Sequence, residues 1–229
     1  MAKKYSYEIK QDIYRDAWNW WNGCNRISHG INWKERVSSK IVEKISGKDE
    51  KEAFKFLIPY LRKKYIDEKD IIKDYKSYIE SEFKQKFERS CEKLVRVMSK
   101  PLYRNDFTIY LTTFPRGPYN KNDGSMWFYI NWHEAIRGFL HELCHFQFIH
   151  YWRENSSSPV SKLTDKEFEY LKESLTIILD EDFMPLIKAP DKGYPIYQEF
   201  RKKLRACWKE KKDFEELVKF GVESVPKYL

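Results

Sequence analysis

The chain reads as an α+β protein, predominantly helical, and three observations carry that reading. Residues 7–98 repeat apolar side chains at helical spacing with few interruptions. Residues 107–113 and 126–132 then switch to runs rich in aromatic and β-branched residues, which is the composition of strands. From residue 133 the helical spacing returns and persists almost to the C-terminus.

In the first half the expected helices cover 7–22, 33–46, 50–65 and 68–98, with breaks at Gly23, Gly30, Gly47 and Asp67. They define an N-terminal helical subdomain over 1–100, with 101–229 as a second region. Trp18, Trp20 and Trp21 fall at helical spacing within the first helix, where core packing is the expected role. The two strands that follow are separated by residues 115–124, a stretch crowded with Pro, Gly, Asn and Asp, and are expected to pair antiparallel across that loop. Residues 133–153 form one expected helix, ended by the Ser-rich stretch 154–159. Thr164-Asp-Lys-Glu167 is a capping box that opens a further helix running to about residue 179, and helices over 195–209 and 213–222 complete the chain, the first starting at Pro195.

At 229 residues the chain is long enough to bury a core, and 41% apolar residues with 17% aromatics place it outside the disordered class. The net charge of +8 is dispersed through mixed runs such as Lys48-Asp-Glu-Lys-Glu52, the pattern of solvated helix faces, and no nucleic-acid recognition motif accompanies it. No apolar segment reaches signal or membrane-span length, so the expectation is a cytoplasmic protein without a membrane partner. Cys24, Cys91, Cys144 and Cys207 are widely spaced with no CxxC pair, which predicts free thiols.

The residues that carry chemistry are His141-Glu-Leu-Cys-His145. On a helix the two histidines lie one turn apart on the same face and can share one metal ion, with Glu142 beside them as a general base. Zinc suits this set, because it accepts imidazole nitrogen and tolerates three protein ligands with a fourth position left for water. Glu173 is followed by Leu175, Ile177, Ile178 and Leu179, so its stretch of helix should be buried, and a carboxylate there needs a partner. Glu169, one turn earlier and in more polar surroundings, is the alternative.

The motif together with residues 170–179 resembles the zincin metallopeptidases, specifically the gluzincin branch, over roughly residues 105–180. The resemblance implies a small antiparallel sheet, a motif helix and a second ligand helix. It also implies Glu173, 28 positions after His145, as the third ligand of one Zn2+. Peptide-bond hydrolysis of a peptide or protein substrate follows, with residues 126–131 pairing with an extended substrate. The branch often has an aspartate four residues after that glutamate; Ile177 stands there, which leaves Asp180 as one option for supporting a zinc histidine and a solvated helix end as the other. Tyr194, Tyr197 and Arg201 are candidates for stabilising the oxyanion.

His150 is a rival third ligand by likeness to other zincins, but it lies about 140° around a continuous helix from His145 and faces away. His133 and Glu134 are two turns upstream, too far for the same ion. Cys144 is expected to pack as a small apolar residue. The competing functional class is a non-catalytic binding or scaffold protein, nucleic-acid-associated in one version, that retains a zincin-like zinc site.

Overall fold

The computed structural model describes residues 4–180 and 182–229, and shows an α+β fold that is mostly helical with a small mixed sheet. Two compact units interleave along the chain. One is built mainly from residues 6–84 and 106–135, the other from 85–105 and 136–229. No helix among the described residues is long and apolar enough to cross a membrane, and all four cysteines are free thiols.

The first unit is not wholly helical. The segment expected to start the helix 7–22 begins as a strand, β1 (Ser6–Gln11), because Tyr7 and Ile9 alternate with Ser6, Glu8 and Lys10 at period two. Asp12 then caps α1 (Ile13–Cys24), its carboxylate accepting from the N–H groups of Tyr14 at 2.9 Å and Arg15 at 3.1 Å. Gly23 does not break this helix. A Cβ there would sit 2.2 Å from the Phe114 ring, so the position is small to let that ring pack against α1. Trp20 joins the core with Ala17, Trp33, Leu57 and Leu61, and its indole donates to Thr113 Oγ1 at 2.9 Å. A hairpin of β2 (Ile27–Ser28) and β3 (Ile31–Asn32) follows, turning at His29 and Gly30 with φ of 53° and 73°, the pairing of positive values that a type I′ turn needs. Helices α2 (Ser39–Ile45), α3 (Glu50–Asp67) and the long α4 (Lys69–Met98) come next, and the last runs from the first unit into the second.

The sheet has the order β1-β4-β6-β5, with β4 (Asp106–Thr112), β5 (Tyr119–Asn120) and β6 (Ser125–Tyr129). The expectation of an antiparallel pair between the two long strands is corrected. They are parallel, with Ile109 opposite Met126, because the chain returns along the loop and makes its tight turn between β5 and β6 instead. Where residues 126–131 are expected to pair with an extended substrate, that turn already occupies the first part of the strand. β6 is an inner strand, paired on its far side by β5 and by Trp127 N–H to the Pro118 carbonyl at 2.9 Å.

Asp16 on α1 ties this sheet to its helices. Its buried carboxylate accepts from Thr112 Oγ1 at 2.6 Å, Thr113 N at 3.1 Å, Thr113 Oγ1 at 2.9 Å and Tyr65 Oη at 3.0 Å. Burial pushes the acid up to about 6, against the pull of these donors, so it is ionised at neutral pH. Replacing it with Ala strands several buried donors at once. Asp16→Ala is expected to cost about 3–5 kcal/mol, read as a lower urea midpoint at unchanged slope.

The second unit is helical. α5 (Ala135–Phe148) continues without a break into a π-helical turn (Ile149–Arg153). α6 (Asp165–Leu175) starts at the expected capping box, Thr164 and Glu167 bonding each other's backbone N–H groups, and tightens into a 3-10 turn (Thr176–Leu179). α7 (Gln198–Lys211) and α8 (Phe214–Ser224) follow. Aromatic contacts hold these elements together: Phe148 stacks on Phe168 at 5.8 Å, Trp152 meets Phe214 at 5.1 Å, and Tyr170 meets Tyr197 at 4.8 Å.

Candidate metal centre

Helix α5 buries Ile136, Phe139, Leu140, Leu143 and Phe146, a stripe at helical spacing that fixes which face turns inward. His141 and His145 stand one turn apart on it, and their Nε2 atoms come within 3.0 Å. The His145 side chain is almost fully enclosed, and that of His141 is 18% exposed, so the pair opens to solvent on one side.

Glu173 reaches this pair from α6. Its Oε1 is 3.3 Å from His145 Nε2 and its Oε2 is 3.7 Å from His141 Nε2, with the side chain only 3% exposed. Glu142 also brings an oxygen within 4.8 Å of both histidines. Its Oε2 and that of Glu173 are buried and have no hydrogen-bond partner among the described residues, which is costly for carboxylates unless something further occupies the space between them.

The donor set fits zinc. A tetrahedral ion with ligands at roughly 2.0–2.2 Å spaces its ligand atoms about 3.4 Å apart. The separations of 3.0, 3.3 and 3.7 Å lie on either side of that value. Glu173 reaches both imidazoles, whereas the alternative, Glu169, is paired with Lys172 at 2.9 Å.

The electrostatics set the histidines apart. Burial alone would lower His141, but the Asp191 carboxylate, then Glu142 and Glu173, outweigh it and hold the imidazole up at about 9. His145 goes the other way, pushed down to about 3 by burial in spite of Glu173. The acidic neighbours thus favour a proton on His141 over one on His145. Burial raises Glu142 to about 7, near the pH where a carboxylate both takes and returns a proton readily. Glu173 is held well below the usual carboxylate range: burial opposes its ionisation, but His145, Lys172 and His141 overcome it.

Two features of the site have no counterpart in the expected set. Asp191 Oδ2 lies 3.1 Å from His141 Nδ1, an arrangement that orients the ring and leaves Nε2 pointing at the shared space. Asp180, one option for that task, pairs instead with Arg205 at 2.6 Å and lies 3.9 Å from Arg201. Lys172 is the second feature, a lysine only 3% exposed whose Nζ is 3.2 Å from Glu173 Oε1. No local pattern marks either residue; only the folded chain brings them to the histidines.

Arg201, one of three uncommitted oxyanion candidates, is placed as a clamp. Fully buried, it donates to the carbonyl of Glu173 at 3.0 Å, to Thr176 Oγ1 at 2.7 Å and to the carbonyl of Asp191. It thereby satisfies carbonyls at the C-terminal end of α6 and fixes Glu173 and Asp191 together. Tyr194 keeps its candidacy. Burial first, then the negative charges of Glu173, Glu142 and Asp191, hold its phenol protonated, as a donor must be. Tyr197 is likewise raised, by burial and then Glu173, but packs edge-on against Tyr170.

His150 is exposed and lies outside the cluster, its Nδ1 3.6 Å from Glu154 and its ring against Tyr103 at 5.7 Å. Helix α5 does change at this point, widening to a π turn, yet His150 stays on the outer face. His133 is exposed and precedes α5, with Tyr78 Oη donating to its carbonyl at 2.5 Å. Cys144 is buried, and burial pushes its thiol well above the ordinary range, which makes it an inert packing group.

The chain matches no family model, no curated protein and no solved structure.

Proposed function

We propose that the chain is a zinc-dependent metallopeptidase of zincin type, in which His141, His145 and Glu173 hold the ion and Glu142 is the general base. The observation that carries this reading is the convergence of two imidazole nitrogens and one carboxylate within 3.0–3.7 Å, with a second, unpartnered carboxylate beside them. A bound zinc would supply Lewis acidity and bring the pKa of a water toward neutrality. Glu142, poised near 7, takes the proton of the attacking water and passes it to the leaving amine. The phenol of Tyr194 offers a hydrogen bond to the carbonyl oxygen as negative charge develops on it. Asp191 holds the His141 ring in register, and Arg201 holds Asp191 and the Glu173 backbone. A purely structural metal site has no use for a half-buried acid beside the ligands with one oxygen, Oε2, left without a partner, and this favours peptidase over scaffold.

The direct test is metal content of the purified chain together with cleavage of a random peptide library, with and without chelator. One zinc per chain and chelator-sensitive cleavage is the expected result. A zinc-loaded chain that cuts nothing would move the reading to the binding or scaffold class.

Two further outcomes follow from the same geometry. Coordination at His141 Nε2 requires loss of the proton that the metal-free ring holds up to about pH 9. Zinc affinity is therefore expected to rise about tenfold per pH unit below 9 and to level off above it, with close to one proton released at neutral pH. Titration calorimetry in buffers of different ionisation enthalpy measures that proton. Replacing Asp191 with Asn keeps the side-chain shape but removes the charge behind His141. Asp191→Asn is expected to weaken zinc binding about 10–100-fold, read by competition with a chromogenic chelator.

A further inference from the structure

Lys172 is a charge at the candidate centre that the proposed reaction does not use. It stands on α6 directly before Glu173 and one turn after Glu169, and its side chain is only 3% exposed. Neighbouring positions on a helix point about 100° apart and do not face each other. Here burial leaves the ammonium little water to face, and it lies between two carboxylates instead. Its Nζ is 3.2 Å from Glu173 Oε1 and 2.9 Å from Glu169 Oε2.

The two carboxylates differ in what else they face. Glu173 is 3% exposed, and its two oxygens also reach the imidazoles of His145 at 3.3 Å and His141 at 3.7 Å. Glu169 is 47% exposed and meets the ammonium from the solvent side. A buried carboxylate stripped of its counter-charge is strongly destabilising. In the metal-free chain the ammonium supplies that counter-charge to Glu173. A divalent cation held by the same carboxylate competes with the lysine, because two positive charges then share one anion. Glu169 keeps the lysine paired when that happens.

We propose that Lys172 is a tethered counter-ion of the centre, standing in for the metal at Glu173 so that the metal-free chain stays folded, and left to Glu169 when zinc is bound. This rests on the reading of His141, His145 and Glu173 as zinc ligands. Zinc then loads onto, and leaves, a chain that is already folded, in contrast to structural sites whose binding energy is their folding energy. Lys172 is a positioning residue and touches no reacting atom.

The test uses the full chain. Zinc affinity is read by competition with a chromogenic chelator in mildly alkaline buffer, and thermal unfolding is followed with and without zinc. Lys172→Gln keeps a hydrogen-bond donor and removes the charge. It is expected to lower the melting temperature of the metal-free chain and to tighten zinc about tenfold or more, since charges a few ångströms apart in a protein interact by more than that factor. Glu169→Gln, at a half-exposed position, is expected to weaken zinc, because the ammonium then leans harder on Glu173. In Glu169→Gln/Lys172→Gln the Glu169 effect should disappear.

A merely structural lysine would lower the metal-free and zinc-loaded melting temperatures equally and leave zinc affinity unchanged, and that result overturns the proposal. So does weaker zinc binding by Lys172→Gln, or a Glu169→Gln effect that persists without the lysine, which would make Glu169 a ligand itself. A Lys172→Gln chain that folds only with zinc is the expected effect in its strongest form. If that variant folds in neither condition, Glu169→Gln decides: weaker zinc supports the counter-ion, and unchanged or tighter zinc overturns it. A wild-type chain that binds no zinc ends the reading of the centre and this proposal together, whereas the other adverse results leave the three ligands standing and remove the counter-ion alone.

Discussion

Glu142→Gln is expected to retain one zinc with little change in affinity and to lose cleavage by about 10²–10⁴-fold, the range associated with a positioned general base. The substitution keeps the side-chain volume in a half-buried position, so the fold should be preserved. It removes only the capacity to bind and release a proton at a group that burial has raised to about 7. The loss should fall on kcat, with KM close to unchanged, because Glu142 acts on the water and the leaving group rather than on the bound peptide. The pH profile offers a second check: the acid limb of the wild-type rate should reflect ionisation of the Glu142 carboxyl, and the residual rate of the variant should lack it. If Glu142→Gln cut peptides as fast as the wild type, Glu142 would not be the base.

Glu173→Gln is expected to have the larger effect on the metal itself, exceeding the roughly 10–100-fold loss that removal of a supporting carboxylate causes. Glu173 places one carboxylate oxygen 3.3 Å from His145 Nε2 and the other 3.7 Å from His141 Nε2, and its charge also holds the buried Lys172 at 3.2 Å. Thermal unfolding with and without zinc reads the effect cleanly. A ligand at about a thousandfold above its dissociation constant stabilises the folded state by about 4 kcal/mol, so the wild type should melt several degrees higher with zinc. In Glu173→Gln that increment should vanish, whatever the variant's own metal-free stability. An undiminished increment would point to Glu142 as the third ligand in place of Glu173, since it too lies within 4.8 Å of both histidines.

Much of the candidate centre was legible before any tertiary structure, because its parts are local. His141 and His145 need only the helical repeat to share a face, and the apolar stripe of α5 decides that the face is inward. Thr164 and Glu167 mark the start of α6 through hydrogen bonds within one turn, which then sets the phase at which Glu173 emerges. Other elements misled for identifiable reasons. Residues 6–11 carry a period-two alternation, but the strand exists because β4, about a hundred positions away in sequence, pairs with it. The two long strands look like a hairpin when only the loop's turn residues are read, and their parallel pairing depends on where within that loop the chain reverses.

From its sequence alone this protein had its helical majority, the spacing of its motif histidines and the candidacy of Glu142 and Glu173, all of which follow from periodicities and caps that operate over a few residues. Tertiary structure alone decided that Asp191 rather than Asp180 stands behind His141, that Lys172 shares Glu173, and that Arg201 clamps the two segments. The reason is physical. A buried charge takes whichever partner the packing brings within about 3 Å, and chain segments far apart in sequence come together only when the core they bury is complete.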